Sequence, residues 1–200
     1  MTEYVLNSGG LKNQPALARK FVREVVAGLG SDVKVLLCFF AEPELETWQP
    51  RFETMSRLLQ EWATAGVTFH CSLAADPDAF EEQVKANDVI YLHGGITAHA
   101  VRMFSRYDLA GVFDGKVVAS NSAATHMLSE SFWSGDERKL GHGLNVVPIR
   151  TIAHYQSNFG DDDPRGPIDW QQAYDELKAY GDTSLPVYAL KEGEFVVREQ

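Results

Sequence analysis

Ser122, His154 and Glu192 are the three residue types that an activated hydroxyl needs, and all fall at the ends of structured-looking segments late in the chain. A serine hydroxyl is a weak nucleophile at neutral pH until a base takes its proton. The base in turn needs an acceptor that fixes its tautomer and stabilises its charged form. Ser122 lies in KVVASNSAATHML, Lys116 to Leu128, where β-branched apolar residues run into small polar ones and then into a helix-like segment. This order reads as strand, sharp turn and helix, with Ser122 at the turn. A hydroxyl there stands clear of a sheet's carboxyl edge, beside the first N–H groups of the following helix. The G-x-S-x-G pattern is absent, because Ser120 and Ala124 occupy its two glycine positions. Each residue also has a plain structural reading: a Ser/Ala-rich turn for Ser122, a satisfied strand-end histidine for His154, and an exposed turn carboxylate for Glu192.

Gly94-Gly95 ends a neighbouring apolar run, where the lack of side chains lets a backbone N–H approach a substrate oxygen. The run that follows, His93-Gly94-Gly95-Ile96-Thr97, has no third glycine and is not a dinucleotide fingerprint. Arg165, on the polar loop after His154, is a candidate clamp for a substrate carboxylate, with Arg150 and Arg102 as alternatives. No metal or other cofactor is expected. His93, His99, His126 and His142 lack metal-site spacing, and Asp161-Asp162-Asp163 lacks the alternating ligands and distal glutamate of a calcium loop.

The elements that must position these groups alternate. Glu3 to Leu6 reads as a strand stopping at Asn7-Ser8-Gly9-Gly10, and Pro15 opens a helix reaching to near Gly30. Val33 to Phe40 is a continuous apolar strand of the kind buried on both faces of a parallel sheet. A helix from about Pro43 to Ala65, a strand from Val67 to Leu73, a short helix after Asp76-Pro77, a strand from Asp88 to Gly95 and a helix from about Thr97 to Tyr107 follow. The strict alternation predicts an α/β three-layer sandwich around a mostly parallel, doubly wound, flavodoxin-like sheet, with ligands at the carboxyl ends of its strands. Ser129 to Gly143 reads as loop, and Leu144 to Tyr155 as one or two strands. Ile168 to Tyr180 reads as an amphipathic helix, and Val187 to Leu190 with Glu194 to Arg198 as a terminal β-hairpin turning at Lys191-Glu192-Gly193.

The 200 residues, 44% apolar and 23% charged, suit one domain spanning 1–200 with a sizeable core. A net charge of −10 without a basic face argues against nucleic acid as a partner. The longest apolar run, Val35 to Ala41, is too short to span a membrane. Cys38 and Cys71, each inside a strand-like run, read as buried free thiols, so a reducing cytoplasmic setting is expected, as monomer or homodimer.

These marks in this order resemble the aspartyl dipeptidase family (peptidase E, related to cyanophycinase), serine peptidases on a fold similar to class I glutamine amidotransferases. The similarity rests on Asn7-Ser8, VLLCFFA at 35–41, the diglycine followed by Thr97, Ser122-Ala123, the run through Pro148 to His154-Tyr155, and Leu190-Lys191-Glu192-Gly193. It implies Ser122 as nucleophile, His154 as general base, Glu192 as its partner, and the N–H groups of Gly95 and Ala123 as the oxyanion hole. Arg165, Gly94, Asn7 and Ser8 are then expected at the substrate, a small peptide cleaved after an aspartyl residue. The family usually carries Trp before the serine and Asn after the diglycine, where this chain has Asn121 and Ile96. A catalytically silent binding module on the same fold is the alternative. A glutamine amidotransferase would need a cysteine at the turn, which Cys38 and Cys71 do not provide.

Overall fold

The apolar runs of the N-terminal part become strands and helices in strict succession. In the computed structural model, which describes residues 1–200, they are β1 (Glu3–Asn7), α1 (Pro15–Val25), β2 (Asp32–Cys38), α2 (Trp48–Trp62), β3 (Thr68–Leu73), α3 (Phe80–Lys85) and β4 (Val89–Leu92). α4 (Thr97–Phe104), a single turn α5 (Leu109–Val112), β5 (Val117–Asn121) and α6 (Ala123–Leu128) complete the succession. Pro15 starts α1 because its fixed φ suits a first helical turn, and the Asp76 side chain caps the 3-10 turn leading into α3 by accepting from Asp78 N–H.

The main sheet has the order β10-β1-β5-β4-β2-β3, where β10 is Phe195–Glu199. All neighbours are parallel except β10, which runs antiparallel to β1. The four residues of β4 are all buried, as a strand covered on both faces requires. Phe40, Phe80 and Phe104 meet with ring centroids 5.3–5.7 Å apart, each fully or almost fully buried. Each such side chain contributes about 1.5–3 kcal/mol by leaving water. Parallel ladders set β1, β5 and β4 side by side, so their carboxyl ends, at Asn7, Asn121 and Leu92, form one edge.

The C-terminal part departs from its sequence reading in two places, the segment after α6 and the terminal hairpin. Ser129 to Gly143 is not loop: β6 (Ser131–Ser134) and β7 (Lys139–His142) pair in it, and with β8 (Arg150–Ile152) and β9 (Val187–Ala189) they form a second sheet ordered β7-β6-β8-β9. Their polar-rich composition hides them, since Ser131 and Ser134 are buried without being apolar. Leu144 to Tyr155 holds a single strand, β8 (Arg150–Ile152). The terminal hairpin does not form. β9 (Val187–Ala189) joins β8 in the second sheet while β10 joins β1 in the first, so Lys191-Glu192-Gly193 is a bend between sheets and not a hairpin turn. A turn-forming tripeptide serves either purpose, and the neighbouring strands decide which.

α7 (Trp170–Lys178) covers the second sheet with Ala173 and Leu177 buried. Arg150 is 3% exposed, and its guanidinium donates to the carbonyls of Leu177, Lys178, Tyr180, Thr183 and Leu185. It satisfies the open carbonyl end of α7 and is thereby removed as a substrate clamp. No helix is long and apolar enough to cross a membrane.

Candidate active site

Ser122 occupies the turn between β5 and α6 with φ 48° and ψ −115°, a conformation that costs a non-glycine residue on the order of 1–3 kcal/mol. Its surroundings hold it there. Ser122 N–H donates to Asn7 O at 3.0 Å, and Ser122 O accepts from His126 N–H at 3.0 Å. One of the two missing glycines has a local explanation: Ser120 Oγ lies 2.8 Å from Thr125 Oγ1, which donates to Asn7 O at 2.7 Å, so the buried serine ties strand, turn and helix to β1.

His154, also at positive φ (59°), places Nε2 2.9 Å from Ser122 Oγ and Nδ1 2.6 Å from Glu192 Oε1. With the carboxylate accepting at Nδ1–H, the lone pair of Nε2 faces the serine, as a base requires. The Phe159 ring stacks on the imidazole at 4.3 Å and 10°, closing one face of it. Gly10, at φ 72°, clears the path for the acid: a Cβ there would sit on Glu192 Oε2. The structure therefore brings Ser122, His154 and Glu192 into one hydrogen-bonded chain.

The other expected residues divide. Asn7 and Ser8 are fully buried and fully employed, so they support the site and do not face substrate. Asn7 Oδ1 accepts from Gly9 N–H and Nδ2 donates to Glu194 O. Ser8 Oγ accepts from His154 N–H at 2.7 Å and donates to Leu190 O at 3.0 Å, joining the base to the segment carrying Glu192. Gly94 adjoins the serine, since a Cβ on it would meet Ser122 Cβ at 3.2 Å. Gly95 N–H makes no internal hydrogen bond, and Ala123 N–H, first in α6, has no partner within the helix. Arg165 is not a free clamp. Its guanidinium grips Asp163 and donates to Asp136 O at 2.7 Å, bracing the loop against the β6–β7 turn. That pairing holds the Asp163 carboxyl well below the usual carboxylate range. Arg102 lies exposed on α4, beside His99.

Sequence reasoning passed over several contributors. His126, four residues after Ser122, is buried and stacks on Phe132 at 4.8 Å, and its Nε2 accepts from Ala153 N–H at 3.1 Å, next to His154. The i, i+4 spacing from the serine was its only signal. Phe159 had none, being one aromatic residue in a polar loop. Beside His93, the residue before the diglycine, Lys12, Arg51, Thr54 and Met55 line a cavity of about 180 Å³. Arg51 pairs with Glu42 at 2.7 Å, and His93 Nδ1 meets Gly94 O at 2.9 Å. Burial pushes both thiols up from the ordinary cysteine range, Cys38 inside β2 and Cys71 inside β3.

Burial lowers the His126 pKa to about 3 and, helped by Arg51 and Lys12, that of His93 to about 4. Below the ordinary value of about 6.5 the unfolded chain takes up protons that the folded chain refuses. Stability from these two groups is therefore complete above pH ~6.5 and falls as pH drops toward their folded values. Each contributes a slope of up to about 1.4 kcal/mol per pH unit, so moving from pH 7 to 5 is expected to remove about 3–4 kcal/mol and lower Tm by roughly 10 °C. Scanning calorimetry across this range checks it, and a flat Tm would show that both histidines become protonated in the folded protein.

No protein-family model and no curated protein matches the chain. Solved structures do. A Listeria monocytogenes EGD-e protein provisionally named peptidase E superposes with a TM-score of 0.64 at 16% identity, covering 100% of this chain and 99% of that one. A peptidase from an acI-B1 actinobacterium gives 0.66 at 18% identity, covering 99% of this chain and 83% of that one. With identity this low the likeness concerns architecture, and it agrees with the six-stranded, mostly parallel sheet flanked by helices. The chain has the fold of these two structures, the α/β sandwich expected from its strand–helix alternation.

Proposed function

We propose that the protein is a serine peptidase that cleaves small peptides through an acyl-enzyme on Ser122. The observation that carries this reading is the unbroken chain Ser122 Oγ–His154 Nε2–Nδ1–Glu192 Oε1, with 2.9 and 2.6 Å links, at a strained strand-to-helix turn. His154 Nε2 takes the Ser122 proton as Oγ attacks the carbonyl carbon. The developing oxyanion turns to the N–H groups of Gly95 and Ala123. Collapse breaks the C–N bond, and His154 returns the proton to the leaving nitrogen; water then repeats the sequence in reverse roles. A silent binding module would not need the serine and imidazole within hydrogen-bond reach at this turn.

Selectivity for an acidic residue on the acyl side falls to Lys12 in this reading, because Asp163 occupies Arg165 and Glu42 occupies Arg51. The leaving nitrogen lies toward His154 in this reading, and the acyl substituent is assigned to the cavity that Lys12 shares with His93, the residue before Gly94. Hydrolysis of a dipeptide panel by the parent protein and by Lys12→Ala tests both parts. The expected result is turnover of dipeptides with an acidic first residue and a kcat/KM loss of about 10-fold for these alone on Lys12→Ala, the equivalent of one charge-assisted contact. No turnover of any dipeptide would count against the peptidase reading, and equal losses on acidic and neutral dipeptides would remove Lys12 from substrate recognition.

A further inference from the structure

The four residues that lead from β4 to α4, His93 to Ile96, carry four N–H groups, and three have fixed partners. His93 N–H donates to Cys38 O at 2.8 Å, Ile96 N–H donates to Ala41 O at 2.8 Å, and Gly94 N–H donates to the Asn121 side-chain oxygen. Gly95 N–H alone is left over. Gly94 is buried and Gly95 partly exposed, so the spare donor is the one that solvent and substrate reach. The amide of Asn121 is itself oriented: its Nδ2 donates to Tyr91 Oη at 3.2 Å, and Tyr91 is 1% exposed in the core below the sheet edge. A Cβ on Gly94 would lie 2.6 Å from Asn121 Oδ1 and 3.1 Å from Asn121 O, so only glycine allows the side chain to come this close.

We infer that Asn121 is a positioning residue that, by taking Gly94 N–H, sets the diglycine peptide so that Gly95 N–H is the donor presented to the oxyanion. This rests on the serine peptidase reading, which already gives Gly95 N–H to the oxyanion; what it adds is the role of Asn121, carried by the hydrogen-bond geometry of the loop. The residue before the nucleophile is well placed for this role. It is the last of β5, registered beyond Ser120, which pairs with Leu92, so its side chain reaches the start of the adjacent loop directly. Donors aimed at a developing charge act only when their direction is fixed beforehand, and a misplacement near 1 Å costs about 10²-fold in rate.

Two measurements test it on the full-length protein. Amide hydrogen exchange by NMR is expected to show Gly94 protected at least tenfold over Gly95, with that protection lost in Asn121→Leu. Labelling of Ser122 by a fluorophosphonate, and kcat on a turned-over dipeptide, are expected to fall about 10–100-fold in the same variant. KM should stay within about twofold and the His154 Nδ1–H resonance should be unmoved, a split that general loosening of the fold would not give. Should Asn121→Leu fail to fold, Tyr91→Phe, which loosens the amide without removing it, is expected to lower kcat two- to fivefold and to raise Gly94 exchange. Parental rates and parental exchange in whichever variant folds would overturn the assignment. If the parent protein shows the protection pattern but no labelling of Ser122, the peptidase reading fails while the placement of Gly94 by Asn121 stands.

Discussion

In the proposed mechanism Ser122→Ala is expected to lower kcat/KM by about 10⁴–10⁶-fold, because it removes the atom assigned to the acyl bond while leaving the proposed binding groups and oxyanion donors in place. The substitution isolates chemistry from folding unusually well here. Ser122 Oγ has one hydrogen-bond partner, His154 Nε2, so no buried carbonyl or N–H loses a bond. The backbone at φ 48° is held by Asn7 O and by the His126 N–H, contacts that alanine keeps. Tm should therefore stay within about a few degrees of the parent. Activity retained at a tenth of the parent level or more, with Tm unchanged, would mean that the hydroxyl is not the nucleophile.

Glu192→Gln is expected to lower kcat by about 10²–10⁴-fold with little change in stability. The carboxylate accepts from His154 Nδ1 at 2.6 Å, which fixes the tautomer with its lone pair toward Ser122 and stabilises the imidazolium formed during attack. Glutamine keeps the size that the Gly10 clearance accommodates but carries no charge, and its N–H₂ can turn the imidazole to the unproductive tautomer. Stopped-flow measurement of the acylation step reads the effect directly. An unchanged acylation rate would show that Glu192 merely anchors the bend between the two sheets.

β1, β2, β4 and β5 were legible because each is a short, largely buried apolar run near Gly, Pro, Asn or Asp, whereas β3 is an edge strand with no buried residue, set off by Gly66 and Asp76-Pro77. The elbow was legible for a related reason: KVVASNS passes from a buried strand to small residues within seven positions, and only a tight turn follows from that. The second sheet was hidden. β6 buries Ser131 and Ser134, whose hydroxyls carry no apolar signal, and β9 is only three residues long. Partners on other strands, not local pattern, stabilise such strands. The meeting of Ser122, His154 and Glu192 could be read only as a matter of residue types, since 32 and 38 residues separate the successive members and spacing of that length fixes no distance. Asn7 and Ser8 belong to the site but do not bind substrate as their sequence position suggests. A sequence shows polar residues at a strand end, whereas burial decides whether they face substrate or hold its machinery. Arg165 is engaged in another way: it is exposed, and Asp163, two residues away, claims its guanidinium.

The central claim, that Ser122 is a nucleophile activated by His154, is tested most directly by treating the folded protein with a fluorophosphonate and mapping the adduct by peptide mass spectrometry. The expected result is a single adduct on Ser122, absent after denaturation, with labelling slowed strongly in Glu192→Gln. No adduct on the folded protein, or an adduct on a residue other than Ser122, would contradict it.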